Sequence, residues 1–301
     1  MIYPKKLSPK AKVGIVAPAS VVEPQHIEFG IQLLESWGFE VVLGKNIFNK
    51  NTQFAGTWQE RLSDFQYFLD DEEIDAIICA RGGYGVVQWI DKADFSRFLQ
   101  KPKWIVGYSD VTVLHCALQK IGVASLHAPM LKGLENIHLE SKELLKQVLF
   151  GENIVFYMEN SQNHTFGFVE GELIGGNLAL LATQIGTKTD FDTKDKIFFI
   201  EDTNEPLYNI DRMLRQLQRA AKFEGLRALL VGDFSNIKEE NPPFDKNLRQ
   251  IILDVLGNQP YPIIFDFPIG HSYYNHPLIC GAKARIEQQE NQVIFRMGTF
   301  S

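Results

Sequence analysis

Along the first half of the chain, short continuous apolar runs alternate with stretches in which apolar residues recur every three or four positions. The runs at 13–17, 39–43, 76–80, 104–108 and 124–127 are apolar on both alternating faces. That is the pattern of strands in a parallel sheet covered on both sides. Between them, Ile27, Ile31, Leu34 and Trp37 fall on one face of a helix over 27–37. Segments 58–69 and 111–121 read the same way. The series β-α-β-α predicts a doubly wound α/β domain.

The pattern changes near residue 150. Segment 151–167 is polar, with Asn153, Asn160, Gln162, Asn163 and His164, and reads as a linker. Beyond it, isolated strands are predicted at 196–200, 226–232 and 263–267, and helices at 178–185, 210–223 and 244–256. Segments 279–286 and 292–297 predict a closing antiparallel hairpin. The expected division is therefore residues 1–150, a linker over 151–167, and a second α/β domain over 168–301. No internal repeat or low-complexity tract interrupts either half.

Composition narrows the classes. A chain of 301 residues is long enough for two domains. The formal net charge of -7 argues against a nucleic-acid partner, because an acidic surface repels phosphate. The 3 cysteines are an odd number without paired spacing, which fits a reducing compartment better than a disulfide framework. No apolar run reaches the roughly 18 residues of a membrane span. Lysines followed by Val13-Gly14-Ile15-Val16-Ala17 superficially resemble a secretory signal, but the run is short and ends at Pro18. Reading it as the first strand implies a cytoplasmic protein.

Candidate chemistry sits at strand ends. The strand Trp104-Ile105-Val106 runs into Gly107-Tyr108-Ser109-Asp110, and a helical pattern begins at once. This is the arrangement of a nucleophile elbow, with the helix N-terminus available to a developing oxyanion. The second glycine of Gly-x-Ser-x-Gly is absent, since Val111 stands there, and a serine here equally suits an N-cap. Arg81-Gly82-Gly83-Tyr84-Gly85 follows the preceding strand, and its glycines allow a sharp turn with exposed N–H groups. It is not a P-loop, because no Gly-Lys-Ser/Thr follows.

A serine nucleophile needs a base and an orienting acid. Of the 7 histidines, His115 falls within a helix, His26 and His138 in polar surroundings, His164 in the linker, and His127 at a strand end. His271 and His276 share a loop after the strand 263–267, and Gly270 gives His271 the setting of a positioned base. Among 37 acidic residues, Glu201 stands out by ending the apolar strand Ile197-Phe198-Phe199-Ile200. A carboxylate there is costly to desolvate without a partner. Alternation implies that only one of Glu201 and Asp202 faces a cleft. Asp211 and Arg212 read as a surface pair.

Five of these pieces occur in order: Arg81-Gly82-Gly83-Tyr84-Gly85, Gly107-Tyr108-Ser109-Asp110, Gly175-Gly176-Asn177-Leu178, Ile200-Glu201-Asp202 leading into Ile210-Asp211-Arg212-Met213-Leu214, and Gly270-His271. Together they resemble the LD-carboxypeptidase family of serine peptidases over nearly the whole chain. The resemblance implies a Ser-Glu-His triad of Ser109, Glu201 and His271, with an oxyanion hole from the N–H groups of Gly83 and Asp110. Arg81, Tyr84 and Asn177 are the expected substrate contacts. It implies an N-terminal α/β domain like a class I glutamine amidotransferase, a C-terminal domain of swivelling type, and a homodimer. The implied activity is release of the terminal D-alanine from murein tetrapeptide in cytoplasmic peptidoglycan recycling, without metal or cofactor. A branch of the family resembles microcin C self-immunity peptidases, which cleave an acyl amide to an adenylate analogue. The absence of an obvious long insertion near His271 favours the murein branch. Outside this class, the same features suit a non-catalytic small-ligand binder. A cysteine-dependent amidotransferase-like enzyme is disfavoured, because Cys79 and Cys116 fall inside a strand and a helix.

Overall fold

The computed structural model describes residues 1–159, 166–239, 241–290 and 292–298. Five parallel strands form most of a first sheet: β1 (Lys12–Val16), β2 (Glu40–Leu43), β3 (Ala76–Cys79), β4 (Trp104–Gly107) and β5 (Ser125–His127). Their order is β5-β4-β3-β1-β2. Helices α1 (Glu28–Ser36), α2 (Trp58–Asp70) and α3 (Thr112–Lys120) connect them. Leu34 of α1 packs in the core on one face, while Phe65 and Phe68 of α2 and Leu114 and Leu118 of α3 pack on the other. This is the doubly wound arrangement, and it accounts for β1, β3, β4 and β5 being buried almost without alternation, whereas edge strand β2, expected to be buried on both faces, is half-exposed. Helix α2 starts with a capping box in which Thr57 accepts from the Glu60 N–H and Glu60 accepts from the Thr57 N–H.

Helix α4 (Leu139–Leu149) follows, and then a second, seven-stranded sheet. In chain order its members are β6 (Ile154–Glu159), β7 (Phe168–Asn177), β8 (Lys196–Thr203), β9 (Ala228–Ser235), β10 (Ile263–Ile264), β12 (Lys283–Gln288) and β13 (Gln292–Met297). They are arranged β10-β9-β8-β7-β12-β13-β6, parallel from β7 to β10 and antiparallel on the other side. Helices α5 (Leu178–Gln184), α6 (Leu207–Arg219) and α7 (Leu248–Leu256) cover one face. The opposite face shares a continuous apolar cluster with the first sheet, including Phe156, Leu173, Phe199 and Leu126.

Two sequence expectations need correction. The segment 151–167, read as a linker, contains β6, which pairs with β13 along its length. Buried Ile154 and Phe156 alternate there with outward residues, a half-buried edge pattern among polar neighbours. Asn160, Gln162, Asn163 and His164 lie outside the described residues. Second, the run over 279–286 does not form one hairpin arm. Strand β11 (Leu278–Cys280) leaves the second sheet and pairs antiparallel with β5, while β12 and β13 form the hairpin. The chain between β10 and β11 therefore crosses from one sheet to the other, carrying residues 265–277 past the carboxyl ends of β4 and β8.

Candidate active site

The turn after β4 holds Ser109 at φ +62°, a left-handed backbone in a residue with a Cβ. Such a conformation is uncommon outside glycine and persists only when the surroundings enforce it. Here they do. A Cβ on Gly107 would meet Val111 at 2.8 Å and Cys79 at 3.2 Å, so the strand end and the following turn are pressed together. Asp110, fully buried, accepts from the Val86 N–H at 2.8 Å and ties this turn to the glycine loop after β3. Burial pushes its carboxyl up to about 6.

The glycine loop approaches from β3. A Cβ on Gly82 would lie 3.2 Å from Cβ and 3.4 Å from Oγ of Ser109. Gly83 is at φ +109°, and a Cβ there would collide with Ser20 Oγ at 2.1 Å. The pair of glycines therefore allows the loop backbone to pass beside the serine. Arg81, Gly82, Gly83, Ser109, Asn177 and His271 line one cavity of about 500 Å³. Tyr84 faces the neighbouring groove instead and stacks at a tilt on Phe54, with ring centroids 6.0 Å apart.

Glu201 and His271 meet from β8 and the crossing segment. His271 Nδ1 lies 2.7 Å from Glu201 Oε2, and Glu201 is fully buried. Burial opposes protonation of the imidazole, but Glu201, Asp202 and Asp233 together raise its pKa above the ordinary value. The Tyr108 ring packs on the imidazole with centroids 4.7 Å apart. A register shift in the β8–β9 ladder between Ile200 and Asp202 breaks the alternation of the strand. Both carboxylates thus serve this region, contrary to the expectation that only one would. Asp202 accepts from Asn177 Nδ2 and from the Ala179 N–H, each at 2.9 Å, and burial next to Glu201 pushes it up to about 7.

The Gly-Gly-Asn run joins the two halves of the site. A Cβ on Gly175 would stand 1.9 Å from the Phe199 carbonyl oxygen, and one on Gly176 would stand 2.4 Å from Thr112 Oγ1. The Asn177 N–H donates to the same Thr112 hydroxyl at 3.0 Å, so the first turn of α3 docks on the end of β7. Asn177 also accepts from the Leu180 N–H as the N-cap of α5. Its polar atoms are occupied within the protein, which makes it a brace of the cavity wall.

The remaining histidines separate clearly. His276 is buried, with Nδ1 2.8 Å from Ser141 Oγ, and its N–H donates to the Pro268 carbonyl. His115 is buried against Ser125 and the Gly107 carbonyl. His127 is buried beside Tyr108 and Phe199, and burial holds its pKa well below the usual value. His138 caps α4 and packs on Tyr274. Asp211 pairs with Arg215 rather than with Arg212. Cys79, Cys116 and Cys280 are all buried, and desolvation pushes their thiols up, which disfavours a cysteine nucleophile.

Residues 13–128 match the LD-carboxypeptidase N-terminal domain, and residues 170–286 match the LD-carboxypeptidase C-terminal domain. The chain belongs to the LD-carboxypeptidase family. A Bacillus subtilis (strain 168) protein named probable murein peptide carboxypeptidase is 37% identical, over 98% of this chain and 94% of its own. The crystal structure of a muramoyltetrapeptide carboxypeptidase from Oxalobacter formigenes superposes with a TM-score of 0.87 at 25% identity, covering 96% of this chain and 99% of that one. The microcin C7 self-immunity protein MccF of Escherichia coli is 24% identical, over 90% of this chain and 88% of its own. Membership makes the chain a peptidase of the hydrolase class. Among the described residues, no helix is long and apolar enough to cross a membrane.

Tyr108, Asp233 and Lys132 are not among the residues expected in this region from the sequence, and Asp202 is expected there only as the alternative to Glu201. Tyr108 was next to the candidate serine and Asp202 next to the candidate acid. Asp233 and Lys132 carry no local signal, because only the tertiary fold brings them near.

Proposed function

We propose that the protein is a serine carboxypeptidase that hydrolyses the L,D amide bond of murein tetrapeptide and releases its terminal D-alanine. The observation that carries the reading is a strained Ser109 sharing a cavity with a histidine whose other ring nitrogen is held by a buried carboxylate. The murein substrate is favoured over an aminoacyl adenylate analogue because identity is higher to the murein peptidase relative than to the microcin self-immunity protein.

In this mechanism Ser109 Oγ attacks the carbonyl of the L-configured penultimate residue. His271 Nε2 takes the hydroxyl proton and then delivers it to the leaving D-alanine amine. Glu201 fixes the imidazole with Nδ1 protonated and stabilises the imidazolium. The tetrahedral oxyanion is held by the N–H groups of Gly83 and Asp110, each worth roughly 3–4 kcal/mol in such sites. Water, activated by His271, then hydrolyses the acyl-enzyme. Cytoplasmic peptidoglycan recycling by a homodimer is the setting the family resemblance supports.

Mass spectrometry of purified murein tetrapeptide after incubation with the protein tests the reading. Tripeptide and free D-alanine are expected. An intact tetrapeptide, with cleavage of an aminoacyl sulfamoyl adenosine under the same conditions, would move the assignment to the microcin-type substrate.

A further inference from the structure

Two cationic side chains, Arg81 and Lys132, line the cavity. The Lys132 N–H donates to the Ala80 carbonyl at 2.9 Å, which fastens the loop after β5 beside the start of the glycine loop. That bond sets Lys132 next to Arg81. The same loop brings Met130 Cε to 3.2 Å from the Cβ position of Gly82, which itself faces Ser109. Lys132 and Arg81 both line the cavity with Ser109 and His271. Arg81 Nη1 donates to the Val21 carbonyl at 2.5 Å, an anchor that leaves its charge uncompensated. Among the described residues, neither cation has a carboxylate within ion-pair distance. Burial and the neighbouring Arg81 depress the Lys132 pKa, opposed by Glu23. Two like charges held together in a cleft are unfavourable unless an anion joins them.

We propose that Lys132 and Arg81 clamp the free carboxylate of the departing C-terminal residue, making Lys132 the determinant of exopeptidase specificity. The inference rests on the peptidase reading above and names the group that the site recognises. The terminal carboxylate lies one residue, about 3.8 Å of chain, beyond the scissile bond. Arg81 and Lys132 line the same cavity as Ser109, on loops that adjoin the turn of the nucleophile. A peptide continuing past this point presents a neutral amide, leaving both cations desolvated without a counter-charge, which is costly.

The test compares murein tetrapeptide as free acid with its C-terminal carboxamide, for the unaltered protein, Lys132→Met and Lys132→Arg. The unaltered protein should favour the acid in kcat/KM. Lys132→Met should lower the acid-to-amide ratio by about 10- to 100-fold, mainly through KM, as expected for loss of a charged hydrogen bond. Lys132→Arg should retain most of the preference. If Lys132→Met keeps the full ratio while hydrolysing the acid, the clamp is overturned and the peptidase reading stands. If the unaltered protein hydrolyses neither peptide, both fall.

Discussion

A Cβ placed on Gly270 would stand 2.9 Å from the Cβ of Glu201 and 3.1 Å from its Oε2, the oxygen that holds His271. Gly270 is also at φ +111°, a backbone that L side chains rarely adopt. The residue before the base is therefore a glycine because the crossing segment lies directly against the acid. Gly270→Ala should displace His271 from Glu201 and lower kcat about 100-fold or more, since small misplacements of a catalytic group carry that penalty. Steady-state kinetics with a thermal melt checks it. A variant with normal kcat would show that the contact does not set the histidine.

Glu201→Gln keeps the shape of the acid and removes its charge. It should lower kcat by roughly 10³- to 10⁴-fold, as when the buried acid of a triad is neutralised and the imidazole adopts the wrong tautomer. KM for the tetrapeptide should change little, since Glu201 is fully buried. A loss confined to KM would contradict the orienting role.

The pH profile follows from the imidazole. His271 must be neutral to accept the serine proton, and its acidic neighbours raise its pKa. Activity should therefore disappear as pH falls through a value above the ordinary imidazole pKa. Asp233 is one of those neighbours, and its Oδ2 is buried without a hydrogen-bond partner. Asp233→Asn removes a charge that favours the imidazolium, so the acid limb of kcat/KM should move to lower pH. An upward movement would mean that Asp233 does not act on His271 through its charge.

His276 shares the loop but plays a different part. Its Nδ1 contact to Ser141 and its backbone bond to Pro268 pin the loop from inside. His276→Ala should lower unfolding stability by about 1–3 kcal/mol, the cost of leaving a buried polar partner unpaired. Denaturant unfolding measures this, and labelling of the serine by an active-site probe should persist. Abolished labelling in a folded His276→Ala protein would shift the base assignment by five positions along the loop.

The strands and most helices were legible because the parallel sheet imposes continuous apolar runs and the helices impose a recurrence of three to four. Ser109, Glu201 and His271 stood out because each ends an apolar strand or follows a glycine in a loop after one. Edge strand β6 was hidden by polar neighbours, since only its alternate residues Ile154 and Phe156 are buried. The division of labour at β8 was hidden by the register shift at Ile200–Asp202, which no local pattern announces. Lys132 became visible only through its backbone bond to Ala80, a contact between residues far apart in the chain.

The central claim is that Ser109 is a nucleophile activated by His271. Intact-protein and peptide-level mass spectrometry after reaction with a fluorophosphonate tests it most directly, applied to the unaltered protein, Ser109→Ala and His271→Ala. The account predicts a single adduct on Ser109, none in Ser109→Ala, and labelling slowed by several orders of magnitude in His271→Ala. An adduct on another residue, or labelling of His271→Ala at the unaltered rate, would contradict it.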